Sequence, residues 1–462
     1  MESLRTSKPV FGRALLTAAL AALILLPAPG CRGPREKRGI VLIVLDSLRR
    51  DHLSHFGYGR PTSPFLDDLM SRGVLFRNAY STASQTVPSV SSMLTGLYPY
   101  RHGSHFFRSG QSYHPTRPVE AGGLPMMKES NLLLAEVFKK HGFRTAAVSA
   151  NPGIRDIYGF AQGVELFRYI DCFAESSQGV CDGATVNALF KKDVLPEIRG
   201  HDFFVYLHYM DVHYPYYKPN SFRGRFREYQ GEPFYVNGPA PPLTAEELEY
   251  SKACYDEGIV YLDSVIKNLF DILEREGLLA STLVAVVSDH GDEFLEHGGL
   301  GHGTTCYNEL IHSFLLLSHP RLAARRVEAP VSLADVFPAL LEWAGIETPE
   351  GGDGASLHGY FTGPESAGDG GGRVFFAELG DRKAVIDGPL KFIADFDLKT
   401  EELYNLEVDP GENDNLAPLR PEETARYKAK LITLFRRMAL SYSETPLSEQ
   451  ERQNLRSLGY IR

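Results

Sequence analysis

Two stretches of this chain, IVLIVL at residues 40–45 and TLVAVVS at 282–288, are almost continuously apolar over a strand's length. Such runs fit parallel strands covered on both faces, where no side needs polar residues. FRTAAVS at 143–149 and DFFVYLHY at 202–209 predict two more buried strands. Between them the spacing changes to three and four. Residues 62–72 open on Ser63-Pro64 and place Phe65, Leu66, Leu69 and Met70 on one helical face. Residues 131–141 form a second amphipathic helix, and 246–276 a long one. Strands alternating with helices predict an α/β fold with a doubly wound, mostly parallel sheet.

The rhythm breaks at the glycine-rich stretch 363–372, which reads as a linker. Short strands at 374–377, 384–386 and 391–394, then 401–404 and a helix over 421–440, predict a smaller C-terminal α+β subdomain. The expected organisation is a leader at 1–31, a tether at 32–38, a main domain at 39–362, the subdomain at 373–440 and a tail at 441–462.

With 462 residues and 43% hydrophobic composition, the chain can bury a large core. A net charge of −10 and the lack of a long basic run argue against a nucleic-acid partner. Arg5, Lys8 and Arg13 precede an apolar run at 14–26 that is short for a membrane span. PAPG and then Cys31 follow, resembling a bacterial lipoprotein cleavage site. The expectation is export to the cell envelope, facing periplasm or exterior, with any membrane contact through the N-terminal lipid anchor or an uncleaved leader. In that compartment Cys172 and Cys181 are spaced to close a small disulfide loop, while Cys254 and Cys306 read as buried thiols.

The chemistry starts from the strand ends. Asp46 and Asp289 each close an apolar run, and His290 follows directly. In an open parallel sheet the carboxyl ends share one edge, where ligands gather. Two carboxylates there repel unless a cation lies between them. Oxygen ligands suit a hard divalent ion, and one imidazole favours manganese, zinc or magnesium over calcium. The stretch SQTVPSVSSMLTG at 84–96 predicts a short amphipathic helix, with Pro88 in its first turn and Gly96 as its stop. Thr86 then falls just ahead of the N-terminus, where free amides favour an anion.

The spacing PSVSSMLTGLYPYRHG at 88–103 resembles the nucleophile segment of the sulfatase family, a branch of the alkaline phosphatase superfamily. DSLRRDHL at 46–53 and SDHGDE at 288–293 are similar to its two metal motifs, which implies Asp46, Thr86, Asp289 and His290 as metal ligands. HYMDVHYPY at 208–216 resembles the family's ester-contacting motif, and GHGTT at 301–305 its Gly-Lys-Gly-Thr segment. ELYNL at 402–406, Asp409-Pro410 and NLA at 415–417 resemble its C-terminal signature. The resemblance covers residues 38 to 415 and implies catalytic roles for Thr86, His213 and His302. Arg49, Asn151, His208 and Asp211 are the candidate substrate contacts. Arg49 has a second reading as a solvated arginine at a helix start, and Asn151 as a turn former before Pro152.

The departures carry equal weight. Family members oxidise a Cys or Ser to formylglycine where Thr86 stands, and a secondary alcohol cannot yield that aldehyde. Val90 replaces an arginine, His302 a lysine, and Ser149, Ala150 and Pro152 stand in the Gly-Lys-x-His segment. A dianionic phosphate needs many cations, so a monoanionic sulfate ester or phosphodiester suits this set better. The expected protein is an exported hydrolase with one divalent metal (Mn, Zn, Mg or Ca) and an unmodified Thr86 nucleophile. Its substrate would be a sulfated or phosphorylated small molecule, glycan or lipid head group. Tyr214, Tyr216 and Tyr217 would suit stacking on a sugar or aryl group. The alternatives are phospho-alcohol transfer onto a lipid or glycan, and a degenerate binding protein.

Overall fold

The run at 40–45 becomes strand β1 (Gly39–Leu45), with all seven residues buried. The other strands of the main sheet are β2 (Val74–Tyr80), β3 (Arg144–Ser149), β4 (Leu166–Tyr169), β5 (Phe203–Tyr209) and β6 (Thr282–Ser288). β7 (His312–Ser318) and β8 (Arg325–Val327) complete its path. The order is β8-β2-β7-β6-β1-β5-β3-β4, with Val331–Ser332 pairing β2. Strands β6, β1, β5, β3 and β4 run parallel, while β7 pairs antiparallel with both β6 and β2. The doubly wound, mostly parallel sheet is therefore present.

The computed structural model describes residues 37–104, 123–125, 127–172, 182–216, 218–228, 230, 231, 233, 234, 238, 239, 242–362, 372–396, 399–436, 444–446, 449 and 453. The expected leader, Cys31, Cys181, Tyr217 and most of the linker and tail lie outside them. Among the described residues no helix is long and apolar enough to cross a membrane. Cys172 is disulfide-bonded, and Cys254 and Cys306 are buried thiols.

Register decides where the chemistry gathers. Leu45 pairs with Tyr209 on one side and Ser288 on the other, so three parallel strands end level. Asp46, Asp289 and the loop after Tyr209 therefore leave the sheet at one edge. The predicted helices appear as α1 (Pro64–Arg72), α3 (Leu134–Lys140) and α5 (Ala245–Arg275), once α2 (Thr86–Thr95) and α4 (Gly183–Leu189) are counted.

Two expectations about α2 change. Gln85 is the N-cap, so Thr86 is the first helical residue rather than lying ahead of the helix. All ten residues of α2 are buried, so the helix is not amphipathic. Two of its three serines are bonded: Ser92 Oγ accepts from Thr82 Oγ1 (2.8 Å), Ser89 Oγ accepts from Ser81 Oγ (2.9 Å), and Ser89 Oγ donates to the Asp289 carbonyl (2.9 Å). That last bond ties the helix to the strand end it serves. Gly96, at φ 68°, ends it in the left-handed conformation.

The C-terminal part is an antiparallel meander of β9 (Val374–Leu379), β10 (Arg382–Asp387), β11 (Leu390–Asp395) and β12 (Thr400–Asn405). A helix, Pro421–Arg436, lays Tyr427 on Phe392. Arg38–Arg462 is one compact unit. One of the joints is a fully buried ion pair, Lys391 Nζ to Glu412 Oε1 at 2.7 Å. Glu412 Oε2 also accepts from the Asn308 amide (2.6 Å), and Lys391 Nζ donates to Asn308 Oδ1 (3.1 Å). Lys391→Met strands a buried carboxylate and is expected to destabilise the fold by about 3–5 kcal/mol. A denaturant titration reading both the midpoint and the slope checks this.

Candidate active site

Asp46 is fully buried, and its two oxygens face different partners. Oδ2 accepts from Asn151 Nδ2 (2.6 Å) and His208 Nε2 (2.9 Å), while Oδ1 accepts from Ser47 Oγ (3.1 Å). Tyr206, two residues before His208 on the same face of β5, completes the chain with its hydroxyl 2.6 Å from His208 Nδ1. Burial alone would raise the Asp46 carboxyl. The His208 bond and the imidazoles of His213 and His290 outweigh it and hold Asp46 well below the usual carboxylate range.

Asp289 behaves oppositely. Oδ1 accepts from the amides of Ser47 (3.1 Å) and His290 (2.9 Å). Ser47 reaches it from a left-handed backbone, φ 58°, a conformation rare for a residue with a Cβ. Oδ2 is buried and, among the described residues, has no hydrogen-bond partner. Burial, then the neighbouring Asp46 charge, push Asp289 well above its ordinary range.

His290 Nδ1 lies 3.0 Å from the Gly291 carbonyl, which can only accept. The proton is therefore on Nδ1, and the Nε2 lone pair faces inward. Nε2 lies 3.1 Å from Thr86 Oγ1, 3.5 Å from Asp289 Oδ2 and 3.8 Å from Asp46 Oδ1. The ligating atoms of Asp46, Asp289 and His290 all fall within 4.8 Å of one another. An orphaned carboxylate oxygen, a second carboxylate and an inward lone pair are the donor set a divalent cation requires. The fit is good.

Glu293, His297 and Glu309 also cluster, but the protein already satisfies them. His297 Nδ1 bonds Glu309 Oε1 (2.7 Å), Nε2 bonds the Glu412 carbonyl (3.2 Å), and Glu293 Oε1 accepts from the amides of His297 and Gly299. Burial lowers His297, but the Glu309 bond and charge overcome this and raise it to about 9. This is an ion-paired imidazolium within the fold.

The structure brings His213 and His302 to the same place. Their rings are 4.9 Å apart, and His302 is 4.5 Å from His290. His213 Nδ1 donates to the Tyr214 carbonyl (2.7 Å), and His302 Nδ1 to Asp292 Oδ1 (2.9 Å). Burial lowers His213 to about 4, and burial with the adjacent His290 lowers His302 to about 3.

The four expected substrate contacts are placed otherwise. Arg49 commits its guanidinium to Asp51 (3.0 and 2.7 Å), Glu296 (2.7 Å) and the Asp292 carbonyl (3.0 Å). It is neither solvated nor turned to a substrate. Asp211 Oδ1 accepts from the Gly183 amide at the start of α4 (2.8 Å), and burial pushes its pKa up to about 7. His208 and Asn151 both stand behind Asp46, holding the oxygen that does not face His290. The expectation for these residues followed motif position, whereas their orientation follows partners far away in sequence. Asp292, Ser47 and Tyr206 went unassigned. The same-face spacing of Tyr206 and His208 was a usable signal; the ten-residue reach from Asp292 to His302 carries no periodicity.

The sulfatase family model matches residues 38–346. The chain belongs to the sulfatase family. Sulfatase-family relatives include bovine (Bos taurus) arylsulfatase A, 24% identical over 387 residues, with 72% of this chain and 68% of that protein covered. The multifunctional alkaline phosphatase superfamily protein PehA of Trinickia caryophylli is 24% identical over 395 residues, covering 70% and 76%. The solved phosphonate monoester hydrolase of Agrobacterium radiobacter shares the fold, with TM-score 0.69 and 19% identity over 90% of this chain and 99% of that one. The Silicibacter pomeroyi phosphonate monoester hydrolase also gives 0.69, at 19% identity over 87% and 96%. This sulfatase-family protein is thus an ester hydrolase, and divalent-metal use in the family agrees with the donor set at Asp46, Asp289 and His290.

Proposed function

We propose that the protein cleaves a monoanionic sulfuric or phosphoric ester, with an unmodified Thr86 as nucleophile. The observation that carries this is Thr86 Oγ1 at 3.1 Å from His290 Nε2, at the corner of the cage that holds the orphaned Asp289 oxygen. A divalent cation bound by Asp46, Asp289 and His290 would lower the pKa of an adjacent hydroxyl and balance charge on the ester. Manganese, zinc or magnesium suits this mixed oxygen and imidazole set better than calcium.

Thr86 attacks in line, the alcohol leaves, and a covalent ester remains on Oγ1 until water resolves it. Asn151 and His208 keep Asp46 ionised and oriented throughout. His213 faces the ester from the loop after β5. Thr86 itself needs no oxidation, since a secondary alcohol is already a competent nucleophile once activated.

Among the described residues, the imidazoles of His213, His290 and His302 gather beside Thr86, and no hydrogen bond or ion pair ties a lysine or arginine to Thr86 or to these three rings. Val90, where relatives place an arginine, is buried in the core. Little fixed positive charge favours a singly charged ester over a phosphate dianion. The names of relatives support the same range, from arylsulfatase to phosphonate monoester hydrolase. The apolar leader and Cys31 support export to the cell envelope.

A panel of one aryl alcohol carried as sulfate, methyl phosphodiester, phosphonate monoester and phosphate monoester tests the charge argument on metal-loaded protein. The expected result is the highest kcat/KM for a monoanion. A phosphate monoester turned over best would overturn it.

A further inference from the structure

The loop that ends the metal motif carries a buried carboxylate, Asp292, that meets a histidine of the Thr86 cluster. Several buried structural carboxylates in this fold cap backbone amides, whereas Asp256 is bonded through the side chains of His52, Tyr58 and Arg60. Asp263 accepts from Phe65 and Leu66, Asp211 from Gly183, and Asp335 from Ser332 and Ala355. Asp292 is fully buried too, yet among the described residues its side chain accepts from no backbone amide. Its oxygens meet two side chains: His302 Nδ1 at 2.9 Å on Oδ1, and the Tyr216 hydroxyl at 3.4 Å on Oδ2.

The surroundings hold that pair in place. Arg49 Nη1 grips the Asp292 carbonyl at 3.0 Å, and Arg49 is itself pinned by Asp51 and Glu296. Tyr216 reaches Oδ2 from a left-handed backbone, φ 55°, a strained state for an aromatic residue. The His302 ring lies 4.5 Å from His290, which touches Thr86. With Nδ1–H given to Asp292, the nitrogen His302 turns away from its partner is Nε2.

We propose that Asp292 is a positioning residue that fixes His302 in the Nδ1–H tautomer, so that Nε2 serves as proton acceptor when water resolves the Thr86 ester. The inference rests on Thr86 as nucleophile. In this step the water oxygen bonds to sulfur or phosphorus, and the bond from that atom to Thr86 Oγ1 breaks. The proton from water passes to His302 Nε2 and then to Oγ1, restoring the threonine hydroxyl. No other reactant is required. An aspartate behind an imidazole does the same in the Ser-His-Asp arrangement, where it sets tautomer and orientation without itself accepting the proton. In this proposal attack by Thr86 draws on the cation that Asp46, Asp289 and His290 would hold, and His302 serves the second half-reaction.

The test is pre-steady-state release of the aryl alcohol by metal-loaded Asp292→Asn, read beside its metal content and Tm. The expected result is a burst near one equivalent per site, followed by turnover lowered about a hundredfold or more, with KM falling and metal content unchanged. His302→Gln should give the same burst with Asp292 intact. Long-range proton–nitrogen spectra should show Nδ1–H on His302 in the wild type and lose it in Asp292→Asn. Turnover within threefold of wild type, or loss without a burst in both variants, overturns the proposal. If wild type also yields no covalent adduct on Thr86, the nucleophile reading has failed; an adduct in wild type without a burst in the variants sinks only the role of Asp292.

Discussion

Thr86→Ala is expected to lower turnover by roughly four orders of magnitude or more while substrate affinity stays near wild type. The side chain is fully buried at the first residue of α2 and meets His290 Nε2 at 3.1 Å. Removing it takes away the attacking atom and leaves the histidines and the cage unchanged, so the loss falls on kcat. Thr86→Ser keeps the oxygen and loses only a methyl that restricts the rotamer, so a substantial fraction of activity remains. Steady-state kinetics of both variants on the preferred monoanionic ester give the ordering. Equal turnover in wild type and Thr86→Ala would mean that water attacks the ester directly.

Asp289→Asn carries the second large effect, and its sign depends on metal. In metal-loaded protein the variant loses a ligand charge, and activity falls by at least about two orders of magnitude. Stability falls with it. Binding to the folded state alone contributes about 2.7 kcal/mol at a hundredfold excess over Kd, and the variant forfeits most of this at the same metal concentration. After chelation the order reverses. Two buried carboxylates then face each other, and burial together with the Asp46 charge disfavours ionised Asp289. The neutral amide relieves that repulsion, so stripped Asp289→Asn is expected to melt above stripped wild type. Thermal melts of both proteins with and without metal reveal the crossing. Parallel shifts in both states would contradict a cation at this site.

Much of the architecture was legible because it depends on patterns a few residues long. The continuous apolar runs at β1 and β6 identified covered parallel strands, and parallel strands end together, so Asp46 and Asp289 could be paired without coordinates. Pro88 and Gly96 bracketed α2 because their backbone preferences are local. Other features depended on tertiary partners. Strand β7 runs against its neighbours, which its apolar pattern cannot reveal. The seven-residue α4 and the short strand β4, half-buried throughout, lack the signal of the long elements. Arg49 could have faced a ligand; Glu296, far along the chain, decides that it does not. His208 lies in a motif associated with ester contact, yet the Tyr206 hydroxyl and Asp46 draw it behind the Asp46 carboxylate. The hydrophobic face of α2 failed as an expectation because its buried Ser89 and Ser92 bond to Ser81, Thr82 and the Asp289 carbonyl.

The site's economy of charge follows from the same contacts. Burial holds the imidazoles of His213 and His302 low, and Val90 is apolar and buried. Asn151 supplies a neutral donor to Asp46 close to where relatives carry a Gly-Lys-x-His segment. A site so built depends more heavily on its cation than one with fixed positive side chains, which is why the Asp289 effect should be large.

The most direct test of the central claim is mass spectrometry of the active-site peptide after acid quench of metal-loaded protein with a slow monoanionic ester. The predicted spectrum shows an unmodified threonine at residue 86 before substrate, and a sulfuryl or phosphoryl adduct on that residue after it. Turnover with no adduct on Thr86 at any quench time, or an adduct on another side chain, would contradict the account.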